Sequence, residues 1–113
     1  MTRFFLAALA ACAASAVSAQ SCPQIRFAPG AYSGEISGHV TQDDVDCYTF
    51  GTGNGQTARL QIFGSDNTCF AVIGVVDCQE DFSFITRAGT YQVNVSALFR
   101  TLGENYTLRL TIR

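Results

Sequence analysis

A period of two in hydrophobicity constrains this chain more than any other feature. Ala58, Leu60 and Ile62 share one face, with Arg59 and Gln61 on the other. Tyr91, Val93 and Val95 alternate with Gln92, Asn94 and Ser96, and Tyr106, Leu108, Leu110 and Ile112 alternate with Thr107, Arg109 and Thr111. Such alternation describes antiparallel strands buried on one side only. No helical period follows residue 20. The run Cys69 to Val76 is more continuously apolar and predicts a central strand. Turn signals at Pro29-Gly30, Gln42-Asp43-Asp44, Gly51 to Gly55, Gly64 to Asn67, Ala88-Gly89 and Gly103-Glu104 punctuate the strands. The pattern predicts an all-β antiparallel sandwich or jelly roll of about seven to eight strands in a single domain. The last strand is expected to reach Arg113, with no linker or second domain after it.

The first 19 residues are expected to stand apart from that fold. Met1-Thr2-Arg3 carries a positive charge, Phe4 to Val17 is apolar and small, and Val17-Ser18-Ala19 suits signal-peptidase cleavage before Gln20. The segment is too short and Ala-rich to favour a retained anchor, so the mature chain has no expected transmembrane segment. Leu9-Ala10-Ala11-Cys12 also has the shape of a lipoprotein box, an alternative that would place lipid on Cys12. Residues 20–113 suffice for one domain and are too few for two.

Export changes the meaning of the cysteines. Of 5, Cys12 would leave with the leader, and Cys22, Cys47, Cys69 and Cys78 would remain. An even set in an oxidising compartment reads as two disulfides. Three pairings exist. The favoured one joins Cys69 to Cys78 across a short loop between neighbouring strands and Cys22 to Cys47 between the leading segment and an early strand. Zinc is disfavoured, because no Cys-x-x-Cys pair is present and His39 is the lone histidine.

Charge removes further classes. The chain has 7 Arg, no Lys and 9 Asp and Glu, for a net charge of −2, and loss of Arg3 makes it one unit more acidic. Scattered arginines do not make the clustered basic face that nucleic acid requires, whereas an acidic surface favours a basic partner.

Several residues invite a catalytic or metal reading. Glu35, Asp43, Asp44 and Asp46 offer oxygens for calcium, yet no Asp-x-Asp-x-Asp-Gly loop is present, and Asp beside a strand start commonly bonds the turn backbone. His39 has no accompanying nucleophile motif, and all four mature cysteines are expected to be oxidised. Tyr48, Phe50, Phe63, Phe70, Phe82, Phe84, Tyr91 and Tyr106 read as core, and the absence of Trp weakens a carbohydrate-binding reading. Asn94-Val95-Ser96 and Asn105-Tyr106-Thr107 match the glycosylation sequon but fall on strands. A non-enzymatic protein without metal or cofactor is expected.

Asp43-x-x-Asp46-x-Tyr48-x-Phe50, Gly55-Gln56, Gly89-x-Tyr91-x-Val93-x-Val95 and Tyr106-x-Leu108 together resemble the bacterial pre-peptidase C-terminal domain, over about residues 26 to 113. That module is a β-sandwich appended to secreted proteases and also found alone. Arg26-Phe27-x-x-Gly30, Ser33, Gly38, Ser65-x-Asn67, Phe70-x-Val72 and Val95 through Leu98-Phe99-Arg100 further resemble the periplasmic inhibitors of g-type lysozyme. The chain departs from these after Arg100, where only Thr101 to Glu104 replace a longer, arginine-richer loop, and two cysteine pairs are not a family requirement.

The resemblance implies a periplasmic or secreted inhibitor that blocks a carboxylate-lined sugar cleft of a g-type lysozyme. Ser65, Asp66, Asn67 and Arg100 would contact the partner, since guanidinium grips carboxylate bidentately. The alternative it implies is a stand-alone pre-peptidase C-terminal-type domain binding an envelope partner or secreted protease. A polar turn at Ser65–Asn67 also follows from turn geometry alone.

Overall fold

The computed structural model describes residues 21–113. The expected leader over residues 1–19 and the lipid alternative at Cys12 lie outside the described residues. Eight strands follow one another: β1 (Ser33–Val40), β2 (Val45–Thr52), β3 (Thr57–Phe63), β4 (Thr68–Val72), β5 (Val76–Gln79), β6 (Asp81–Ile85), β7 (Gly89–Ala97) and β8 (Glu104–Ile112). They form two four-stranded antiparallel sheets, ordered β1-β8-β3-β6 and β2-β7-β4-β5. The expected sandwich is present, and both expected disulfides, Cys22–Cys47 and Cys69–Cys78, are formed.

The alternation read from the sequence sets which side chains meet between the sheets. Ala58, Leu60, Ile62, Leu108 and Leu110 from one sheet pack against Phe50, Phe70, Val72, Val93 and Val95 from the other. Burying a side chain of the larger kind contributes roughly 1.5–3 kcal/mol. Near one end Phe84 stands edge-on to Tyr91 at 5.2 Å, and Tyr91 stacks on Phe50 at 5.6 Å. This aromatic contact joins the sheets directly.

Two expectations need correction. Cys69 to Val76 is not one strand: β4 stops at Val72, Gly74 takes φ 81°, and the chain reverses into β5. A positive φ suits glycine, so an apolar stretch with glycine inside it turns rather than runs on. Phe63 is not core either. It follows Ile62 on the outward side of β3, is exposed, and carries the Arg109 guanidinium 4.7 Å above its ring. Arg109 also pairs with its cross-strand neighbour Glu35, and Arg59 makes a two-bonded pair with Asp81.

The leading segment closes the side where β1 and β2 are edges. Ile25 donates its backbone N–H to Thr49 O at 2.8 Å, and Thr49 returns one to Pro23 O at 2.9 Å. Ile25 is buried against the core, and the Cys22–Cys47 disulfide pins this strap to β2.

On the same side a chain of hydroxyls ties sheet to sheet. The Tyr106 hydroxyl of β8 donates to Asp46 Oδ2 on β2 at 2.5 Å, and Tyr48 of β2 lies 2.5 Å from the same hydroxyl. A phenol has one proton, so Tyr48 must be the donor to Tyr106. Gly38 on β1 sits beside this pair, and a Cβ there would collide with both hydroxyls. Gly38→Ala is therefore expected to lower stability by about 2 kcal/mol through overpacking. Chemical denaturation measures this, and a loss under about 0.5 kcal/mol, the range of a neutral surface change, would contradict it.

Candidate functional site

Three connections meet at one end of the sandwich. Val40 pairs with Glu104, so the Thr41–Asp44 turn between β1 and β2 lies beside the start of β8. Thr68 pairs with Ala97, so the β3–β4 loop lies beside the β7–β8 loop. The structure thereby brings Ser65, Asp66 and Asn67 together with the loop that carries Arg100.

Hydrogen bonds join these loops directly. Phe99 donates its backbone N–H to Asn67 Oδ1 at 2.9 Å, and Asn67 Nδ2 donates to Phe99 O at 3.1 Å. Leu98 N–H donates to Asn67 O at 2.9 Å. Asn67 thus clasps the neighbouring loop as a third strand residue would, through both ends of its carboxamide.

Glu104 gathers the remaining polar groups. Its Oε1 accepts from Ser65 Oγ at 2.7 Å, and its Oε2 accepts from Thr101 Oγ1 at 2.7 Å and more loosely from Asn67 Nδ2 at 3.4 Å. Ser65 Oγ in turn accepts the Asn67 N–H, and Thr101 Oγ1 accepts the Gly103 N–H. Bonds from Ser65, Thr101 and Asn67 hold the Glu104 carboxyl below the ordinary carboxylate value of 4.5.

His39 braces the loop from below. Its Nδ1 lies 2.7 Å from Asn105 Oδ1, which makes Nδ1 the protonated nitrogen, and its ring occupies the space a side chain on Gly103 would need. The lone histidine bonds Asn105 and packs against Gly103, and so supports the loop. The carboxylates considered for calcium are held separately: Glu35 by Arg109, Asp44 by Thr41 and Asp46 by Tyr106. Among the described residues, no three His, Cys, Asp or Glu side chains converge as a metal cage.

What remains free at this end is specific. Asp66 and Arg100 are exposed, and the ion pairs among the described residues, Arg59–Asp81 and Arg109–Glu35, involve neither. Ser65 and Asn67 spend their side-chain donors on Glu104 and Phe99. The sequence did not single out Glu104 or Thr101, although an acid opening a strand just after a short polar loop is a place where such a hub can form.

No family model matches the sequence, and no curated protein matches it. Solved structures do. The g-type lysozyme inhibitor of Aeromonas hydrophila, a periplasmic protein, superposes with a TM-score of 0.69 at 24% identity, over 82% of this chain and 96% of that one. The corresponding inhibitor from Salmonella Typhimurium gives 0.67 at 18% identity, over 84% of this chain and all of that one (100%). The pre-peptidase C-terminal domain of a Bacillus anthracis collagenase gives 0.60 at 13% identity, over 87% and 100%. The fold of both resembled groups is the fold of this chain.

Glu104 yields a prediction. A carboxyl whose folded value lies below 4.5 contributes stability that is complete above the unfolded value and is lost as pH falls through the folded one. The amides of Asn67, Phe99 and Gly103 should therefore titrate together with one midpoint below 4.5. Glu104→Gln should displace all three at neutral pH. A shared midpoint at or above 4.5, or amides that ignore the substitution, would contradict the hub.

Proposed function

We propose that the chain is an exported, non-enzymatic protein-binding module that inhibits a g-type lysozyme by seating its loop end in the enzyme's cleft. Arg100 reaches a carboxylate of the cleft, Asp66 contacts the cleft margin, and Ser65 and Asn67 hold the two loops at the height and angle that contact requires. The residues act by occlusion and carry out no bond chemistry.

What supports the reading is one coincidence. The fold is shared with proteins described as periplasmic inhibitors of g-type lysozyme, and the chain has a braced loop end from which an unpaired arginine projects. Fixing the loops beforehand spares the entropy of ordering them on binding, which for mobile side chains runs to roughly 0.5–1.5 kcal/mol each. Oxidised cysteine pairs fit a periplasmic or secreted location.

A second reading is favoured by the likeness to the collagenase domain: a stand-alone binding domain for an envelope or extracellular partner or a secreted protease. Arg100 separates the two. Oxidised protein spanning residues 20–113 is expected to inhibit lysis by a g-type lysozyme, with c-type and i-type enzymes as comparisons. Arg100→Ala should raise the inhibition constant at least about thirtyfold, since truncating one member of a desolvated charge pair costs about 2–5 kcal/mol. Absence of inhibition at roughly micromolar protein, a Kd range in which a specific interface of standard size already binds, would sink the lysozyme reading. Binding to another partner that ignores Arg100→Ala would favour the second.

A further inference from the structure

The loop between β7 and β8 turns Thr101 and the Phe99 backbone inward to Glu104 and Asn67 and shows Phe99, Arg100 and Leu102 to solvent. Phe99 is 75% exposed and Leu102 99% exposed, with Leu98 partly exposed beside them. Leu102 lies between Thr101 and Gly103, which are joined by a 3.1 Å bond from the Gly103 N–H to Thr101 Oγ1. The loop is held in a form that presents an apolar side chain to water. Large apolar groups displayed together on a fixed loop mark a contact surface more often than a scatter of single exposures does.

The charges around this tip are acidic apart from Arg100, which the tip itself carries. Asp43 and Asp44 in the β1–β2 turn and Asp66 in the β3–β4 loop are all exposed at this end. None belongs to an ion pair among the described residues. Arg100 is the one arginine on these connections. The β6–β7 link and Arg113 place Arg87 and Arg113 at the opposite end. The overall acidity of the chain is thus concentrated around the apolar tip.

We propose that Phe99 and Leu102 form the apolar centre of the partner interface and that Asp43 and Asp66 form its rim, so that the partner surface is basic around a depression that is apolar apart from the carboxylate Arg100 meets. The proposal rests on the loop-end reading given above and adds the chemistry of the surface that is met. A second copy docking through the same end would set carboxylate against carboxylate, and an anionic membrane would repel the rim in the same way. A basic protein meets neither penalty. Division of labour follows: the rim steers encounter, and the tip, once dehydrated, slows dissociation.

Two variants and two probes test this. Phe99→Ser with Leu102→Ser changes exposed residues and should leave the far-ultraviolet spectrum and thermal midpoint unaltered. Against a g-type lysozyme it is expected to raise the dissociation rate at least about tenfold, as for loss of interface anchors. Asp43→Asn with Asp66→Asn is expected to cut the association rate about tenfold at low salt and to flatten its salt dependence, with little change in dissociation. Rates within twofold of the parent for both variants, in a parent that binds lysozyme, would overturn the tip and leave the lysozyme reading standing. The second probe is cytochrome c, a basic protein with an exposed apolar edge, titrated into labelled chain and followed by amide shifts. Shifts confined to residues 65–67 and 98–103, in a chain that binds no lysozyme, would support the tip and remove the lysozyme reading. No shifts there, with no lysozyme binding, would overturn both.

Discussion

Two phenol hydroxyls buried between packed sheets are tolerable only when each proton finds an acceptor, and here the acceptors form a single line. Tyr48 donates to Tyr106, and Tyr106 donates to Asp46. The line runs from β2 across to β8 and back to β2, so it fixes the separation of the sheets as well as satisfying the groups. Gly38 on β1 leaves the room that both hydroxyls occupy. The strap over residues 21–27 then shields this side, with Cys22–Cys47 and buried Ile25 holding it in place. An apolar pair could have filled the same space. What the polar line adds is geometry, because the Tyr106 side chain can reach Asp46 from one register of β8 only.

That register has consequences two residues away. Glu104 opens β8, and its position decides whether Ser65, Thr101 and Asn67 can converge on one carboxylate. With the hub in place the β7–β8 loop keeps its backbone groups inward and turns Phe99, Arg100 and Leu102 outward. The chain from core to surface is therefore short: a buried hydroxyl line sets a strand, the strand sets a carboxylate, and the carboxylate sets two loops. Loops fixed this way need little ordering, which is what the proposed binding role asks of them.

Much of this was legible in the sequence, though unevenly. Alternation at Ala58 to Ile62, Tyr91 to Val95 and Tyr106 to Ile112 marked strands and their inward faces, because successive side chains of a strand point to opposite sides of its sheet. The Cys69–Cys78 pair was readable from its short spacing. Gly38, Asp46, Tyr48 and Tyr106 stood out as a pattern, yet their contact joins strands far apart in the chain, and a one-dimensional reading cannot see a bond across sheets. Phe63 looked like core because aromatic residues usually are; its place one step beyond Ile62 turns it to solvent. The break at Gly74 was hidden inside an apolar run, where composition outweighed a single turn residue. Ser65 and Asn67 were visible as a polar loop. That Glu104 engages both could not be read, since nothing local to Glu104 names its partners.

The hydroxyl line is most directly tested by NMR of chain carrying 13C at the tyrosine Cζ positions. Burial, with the Asp46 and Tyr48 bonds behind it, pushes the Tyr106 phenol far above the ordinary value of 10, and burial raises Tyr48 as well. Protonated phenols are favoured in the folded chain, so their contribution is complete below pH 10 and is lost only as pH climbs through the raised folded values. The Tyr48 and Tyr106 resonances are expected to titrate with midpoints above 10, or not at all, for as long as the chain remains folded. Either one titrating with an ordinary midpoint near 10 in folded protein would contradict it.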